Sequence, residues 1–212
     1  MSADEATPRG RRSLGTARLA AFSDGVFSIA ATLLVLDIAV HPPGTPLQQV
    51  LDAWPAYVAY VVSFLTIGAG WLAHTALTER LTRSDPIFLQ INLLLLLVVA
   101  FLPFPTRLVA DALNEVGAER VAVTFYGLTL LAIRLLGAAL VGYARREHFY
   151  SPQAGSDEVE TSQRRLLPVV IGYLIAIGIG LVLPRLAVAL YFGIAVYLIV
   201  PFREVARLFR RS

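Results

Sequence analysis

Six long apolar runs, broken only by short polar stretches, limit what this chain can fold into more than any other feature. They span residues 19–40, 50–77, 87–101, 121–143, 166–183 and 186–202. A helix needs roughly 17–25 apolar residues to cross about 30 Å of hydrocarbon. The runs are continuous and do not alternate, so strands of a membrane barrel are not expected. The reading is an all-α, polytopic membrane protein with six transmembrane helices. Only 16% of the residues are charged and the mean hydropathy is +0.67, whereas a soluble domain of this length carries about 25% charged residues. The length of 212 residues suits one bundle: a basic, aperiodic tail over 1–17, expected to be disordered, a membrane domain over 18–203, and a short basic tail over 204–212. The first run carries Asp24 and Asp37 and is too long for the apolar core of a signal peptide, so it is expected to remain as the first span.

The orientation follows from the basic residues, all of which are arginine. Arg9, Arg11, Arg12, Arg18, Arg80, Arg83, Arg145, Arg146, Arg164, Arg165, Arg203, Arg207, Arg210 and Arg211 fall on one side of a six-span topology. Arg107, Arg120 and Arg185 fall on the other, beside Asp52, Asp111, Glu115 and Glu119. Positive residues accumulate on the cytoplasmic side, so both termini are expected there, in a multi-pass protein of the cell membrane. The basic balance therefore reports topology and not nucleic-acid binding. The chain has no cysteine, which excludes disulfides and thiolate metal sites.

Polar residues inside the apolar runs each need an account, because an ionisable group at the centre of a span costs roughly 2.5–3.5 kcal/mol on insertion scales. Asp24 lies near the start of span one, where it either pairs locally, with Arg18 or a neighbouring helix, or meets a permeating ion. Trp71 and His74 share a face near the end of span two and are within reach of Ser23 or Asp24. Asn92 in span three needs a partner. His41 and His148 are expected in solvated loops. Arg134, inside span four, has no acid within one helical turn; Asp37 is its candidate partner, as a structural clamp or in transport. Pro103 and Pro105 are expected to end span three. Gly172, Ala176 and Gly180 form a small-residue face on span five, suited to close helix packing. No paired carboxylates, nucleophilic triad, phosphate loop or metal-spaced cluster is present, so an enzyme is not expected. The carbonyl-filter motif of the ordinary potassium channels is also absent.

Span one reads Arg18-Leu-Ala-Ala-Phe22-Ser23-Asp24-Gly-Val-Phe27. With Trp71-x-x-His74, Asn92 ahead of a leucine run, and Leu102-Pro103-Phe104-Pro105, it resembles the transmembrane protein 175 family, the lysosomal potassium channels and their prokaryotic relatives. The resemblance covers residues 18 to 107 in detail. It implies a six-helix protomer, a homotetramer, and span one lining a central pore. It further implies a constriction of aliphatic side chains, mapping to Ile29, Leu33 and Leu36, and a threonine layer at Thr32. Arg18, Phe22, Ser23, Asp24, Trp71, His74 and Asn92 map to a network that holds span one in place. No cofactor is implied; potassium is the permeating ion, and the partners are other copies of the chain, lipid and monovalent cations. At 100° per residue, Ile29, Thr32, Leu33 and Leu36 fall within about a 100° arc, with Asp24 on the other side. Periodicity alone favours reading that stripe as an ordinary lipid-facing or core surface; it is the resemblance that favours a pore face.

The function expected is a modestly selective, potassium-permeable leak channel. Two readings compete with it: a proton- or ion-coupled secondary transporter using Asp24, Asp37, His74 and Arg134 as a relay, and a non-transporting membrane protein.

Overall fold

The structure, a computed structural model, describes residues 15–38, 44–113, 118–150 and 166–200. The two terminal tails, His41 and the segment with Arg164 and Arg165 lie outside the described residues. Among the described residues eight α-helices follow one another: α1 Thr16–Leu33, α2 Pro46–Asp52, α3 Trp54–Thr78, α4 Pro86–Phe101, α5 Pro103–Ala112, α6 Glu119–Arg146, α7 Leu166–Gly180 and α8 Pro184–Ile199. A 3-10 turn over Leu34–Asp37 extends α1. Four helical segments among the described residues are long and apolar enough to cross a membrane: Thr16–Leu36, Trp54–Thr78, Pro86–Ala112 and Glu119–Arg146. Helices α7 and α8 are apolar but shorter, at 15 and 16 residues.

Prolines set the helix boundaries. Pro46, Pro55, Pro86, Pro103 and Pro184 each sit in the first turn of a helix, where the missing N–H is no loss. Pro103 and Pro105 do not end the third span, contrary to the sequence expectation. They open α5, which continues α4 after a break at Leu102, so that one kinked segment of 27 residues results. Pro105 removes the N–H that the Phe101 carbonyl would otherwise receive, and this localises the kink. Pro55 acts likewise on the second span: the apolar run begins near Val50, but Val50 belongs to α2 and the long helix starts at Trp54. Pro184 forces Leu183 out of the helical region, to φ −127° and ψ 74°, and so separates α7 from α8. Asp85 caps α4 by accepting the Phe88 N–H at 2.8 Å.

Helix α3 packs against α1, α5, α6 and α8, and α7 lies between α6 and α8. The small-residue face of α7 is used for this. Ala176 is fully buried, and a Cβ on Gly180 would stand 3.3 Å from both Ala187 and Val123. Tyr173, Tyr191 and Tyr126 stack in sequence at that junction, at centroid spacings of 6.2 and 5.8 Å.

The end of the bundle bearing Arg18, Arg80, Arg83, Arg145 and Arg146 is closed by contacts between the α3–α4 loop and the end of α6. The Thr82 N–H donates to the Phe149 carbonyl at 2.9 Å, Arg83 covers the Phe149 ring, and the Tyr143 hydroxyl donates to Asp85 at 2.7 Å. His148 is exposed in the turn there. At the other end Arg107 pairs with Asp111, and Arg185 with Glu119, each at 3.7 Å.

Candidate functional site

Helix α1 has two faces of opposite character. One face carries Leu19, Ser23, Phe27, Ala30 and Leu34, all buried against the bundle at three- and four-residue spacing. The other carries Ile29, Thr32, Leu33 and Leu36, all exposed on the protomer. Ile29 is 61% and Leu36 is 74% exposed. A free-standing apolar stripe of this kind calls for a partner, whether lipid, another subunit or a pore. The Thr32 hydroxyl donates back to the Ile29 carbonyl at 2.9 Å, which ties its side chain to the backbone of the preceding turn.

The buried face is held by a polar chain. Asn92 Nδ2 on α4 donates to Ser23 Oγ at 3.1 Å, and Asn92 Oδ1 accepts from His74 Nε2 on α3 at 2.8 Å. The imidazole also packs on the Phe27 ring, 5.5 Å between centroids. Ser23, His74 and Asn92 are all at least 97% buried, so unmade bonds among them would be costly. A second tie runs at the surface, where Trp71 Nε1 donates to Asp24 Oδ1 at 2.9 Å. Three helices thus meet on one side of α1 through Ser23, Asp24, Trp71, His74 and Asn92. Phe22 and Arg18 are not brought into this set; both are exposed.

Arg134 lies near the middle of α6. It lines a cavity of about 380 Å³ with Leu77, Leu166 and Val200, all at the arginine-rich end of the bundle, together with His74 and Tyr173. Asp37 ends the turn after α1 that packs toward α5, at the opposite end, and its side chain lies outside the described residues. The expected pairing of Asp37 with Arg134 therefore also lies outside the described residues.

One buried network had no signal in the sequence. Ser63 Oγ lies 2.7 Å from both Thr106 Oγ1 and the Tyr126 hydroxyl, joining α3, α5 and α6. Hydroxyl residues are ordinary in membrane helices, so nothing in the sequence singled these three out.

The model of the family described as "Endosomal/lysosomal potassium channel TMEM175" matches residues 18–103, which takes in α1 through α4. A protein of Streptomyces collinus named a potassium channel is 38% identical over 198 residues, covering 89% of this chain and 96% of the relative. The chain belongs to the TMEM175 family. A crystal structure described as a lysosomal potassium-selective channel TMEM175 homolog from Chamaesiphon minutus superposes with a TM-score of 0.76 at 34% identity, covering 86% of this chain and 95% of that one. A Gallus gallus protein named endosomal/lysosomal proton channel TMEM175 is 35% identical over 130 residues, 53% of this chain and 26% of its own length. The TMEM175 match falls on the helices that carry both faces of α1 and the polar chain bracing it.

Proposed function

We propose that the chain is the subunit of a potassium-permeable, modestly selective cation leak channel in the cell membrane. In this reading α1 lines a central pore, Ile29, Leu33 and Leu36 form its constriction, and Thr32 supplies a polar layer. The observation that carries the reading is the two-faced α1: an aliphatic stripe left exposed among the described residues, backed by a hydrogen-bonded brace from α3 and α4. A pore wall needs both a free face and a fixed position. The names of the bacterial relatives supply the ion. Symmetry completes the pore, with four copies placing their α1 stripes around one axis. The short α7 and α8 then act as the fifth and sixth spans, with both termini on the cytoplasmic side by the arginine distribution.

An aliphatic ring gates by dewetting and by the cost of stripping water from the ion. Potassium holds its water less tightly than sodium, so the ring favours it without the sharp discrimination of a carbonyl filter. The test is the reversal potential of purified protein in planar bilayers, with potassium on one side and sodium on the other and with Ile29→Asn run in parallel. Reversal toward the potassium equilibrium potential, with selectivity lost or conductance raised in the variant, supports the proposal. Saturable flux coupled to pH would favour the transporter reading instead. A proton gradient across the same bilayer compares potassium with protons, the ion named for the chicken relative.

A further inference from the structure

Among the described α-helices, α2 alone has no buried residue. Its seven residues are too few to hold a helix in water, because nucleation costs more than so few hydrogen bonds return. The sequence nevertheless specifies this helix. Thr45 and Gln48 make a reciprocal cap: the Gln48 N–H donates to Thr45 Oγ1 at 3.3 Å, and the Thr45 N–H donates to Gln48 Oε1 at 2.9 Å. Pro46 stands in the first turn. The Tyr57 hydroxyl, near the start of α3, donates to the Val50 carbonyl at 3.0 Å and ties the two helices together. A helix capped and tied in this way, yet with no buried side chain, needs a surface beyond its own bundle.

The residue pattern says which surface. At about 100° per residue, Leu47, Val50, Leu51 and Trp54 fall within about a 100° arc, and Gln48, Gln49 and Asp52 fall within an equal arc on the other side. The four apolar residues are between 49% and 68% exposed. Their stripe runs on into α3, where Val58 and Val61 follow at the same angle, half-buried and exposed. It is therefore continuous with the apolar surface of a helix long enough to cross a membrane. Trp54 stands at the start of that helix, and tryptophan is favoured where hydrocarbon meets water. Helix α2 carries one acid and no base, so its attraction to a lipid surface is apolar and needs no anionic lipid.

We propose that α2 lies in the membrane–water interface as an amphipathic anchor. Leu47, Val50, Leu51 and Trp54 insert among the headgroups and upper acyl chains, and Gln48, Gln49 and Asp52 face water. Such helices sink about 5–10 Å into the boundary between headgroups and acyl chains. The anchor acts on α1. Asp37 closes the turn after α1 and Pro46 opens α2, so lipid that holds α2 limits how far that end of α1, with Leu36, can move. An effect on ion current would rest on the channel reading above; the anchoring itself does not.

The test uses the full chain in phosphatidylcholine nanodiscs. The chain has no cysteine, so Leu47→Cys, Gln48→Cys, Val50→Cys, Leu51→Cys and Asp52→Cys each carry a nitroxide spin label in an otherwise unchanged background. Power saturation compares collisions with oxygen, which concentrates in lipid, and with a water-soluble nickel chelate. Labels at Leu47, Val50 and Leu51 are expected to favour oxygen, and labels at Gln48 and Asp52 to favour nickel. A preference for nickel at every position would overturn the proposal, because the helix then stands in water. Few collisions with either reagent at Leu47, Val50 and Leu51 would overturn it too, because protein, such as a second copy, then covers the stripe. Trp54 gives a label-free reading, since Trp71→Phe leaves it as the sole tryptophan of the two in the chain. Lipid brominated near the headgroup end of its acyl chains is expected to quench Trp54 fluorescence more than lipid brominated at the chain ends. Absent lipid quenching, or quenching at least as strong from the chain ends, would overturn the anchor.

Discussion

The indole Nε1 of Trp71 donates to Asp24 Oδ1 over 2.9 Å, joining α3 to α1 through a carboxylate that is itself exposed on the protomer. The bond lies one turn from the buried Ser23–Asn92–His74 chain, so α1 is held twice at the same height. Trp71→Phe keeps the ring and removes only the donor. A hydrogen bond at a partly exposed site contributes about 1 kcal/mol net, and the variant is expected to lose about that much. Asp24→Asn keeps an accepting oxygen in place and is expected to lose less. Denaturant unfolding followed by circular dichroism measures both; a larger loss in Asp24→Asn would mean that the charge, and not the hydrogen bond, is what matters there.

Asn92 is the hinge of the buried chain, because each half of its amide serves a different helix. Asn92→Leu strands Ser23 Oγ and His74 Nε2, each at a cost of about 1–3 kcal/mol, and is expected to be among the most damaging substitutions in α4. The coupling between His74 and Asn92 is smaller than that total, since a partly unfolded chain in the membrane finds other partners. A double-mutant cycle is expected to give about 0.6 kcal/mol, with a ceiling near 1.7 kcal/mol. A coupling of zero would mean that the two residues stabilise the bundle independently.

The membrane class of the protein and the residues of the brace were legible in the sequence for different reasons. Ser23, Asp24, Trp71, His74 and Asn92 stand out because polar groups in apolar runs need partners, and the fold pairs Trp71 with Asp24 and links Ser23, Asn92 and His74. The helix ends were harder to place. Proline stops a helix coming from one side and starts one from the other, and the pattern of residues around Pro103 does not say which; packing of α5 on α3 and α6 decides it. Phe22 sits in the signature beside Ser23, yet at 100° from it the side chain points out of the bundle. The Ser63–Thr106–Tyr126 contact joins residues far apart in the chain that carry no charge and follow no motif.

Two glycines of α6 make a matched pair for the packing. A Cβ on Gly127 would collide with the Tyr191 hydroxyl and fall 2.8 Å from Ile177 Cγ1, whereas Gly137 has open space around it. Replacing glycine by alanine inside a helix gains about 1 kcal/mol when nothing obstructs, and overpacking costs about 1–3 kcal/mol. Gly137→Ala is therefore expected to stabilise the protein and Gly127→Ala to destabilise it, read as melting temperatures of opposite sign relative to the parent. Equal shifts would show that α8 moves aside and that the tyrosine stack has slack.

The exposure of Ile29, Thr32, Leu33 and Leu36 has two physical explanations, lipid or water, and thiol chemistry separates them. The chain has no cysteine, so single-cysteine variants need no altered background. A charged methanethiosulfonate reagent reacts only with a thiolate in water. If α1 lines an aqueous path, cysteines at Thr32 and Leu36 are expected to react in the membrane-embedded protein. Reactivity should recur at three- and four-residue intervals, with Ile29 and Leu33 slower where the constriction narrows. Cysteines at Ala30 and Leu34, at most 1% exposed, are expected to stay silent because they face the bundle. A cysteine at Leu97, 64% exposed on α4, is the lipid-facing comparison and is also expected to stay silent. If Leu36 labels no faster than Leu97, the stripe faces hydrocarbon, and the conducting path must be sought on another helix.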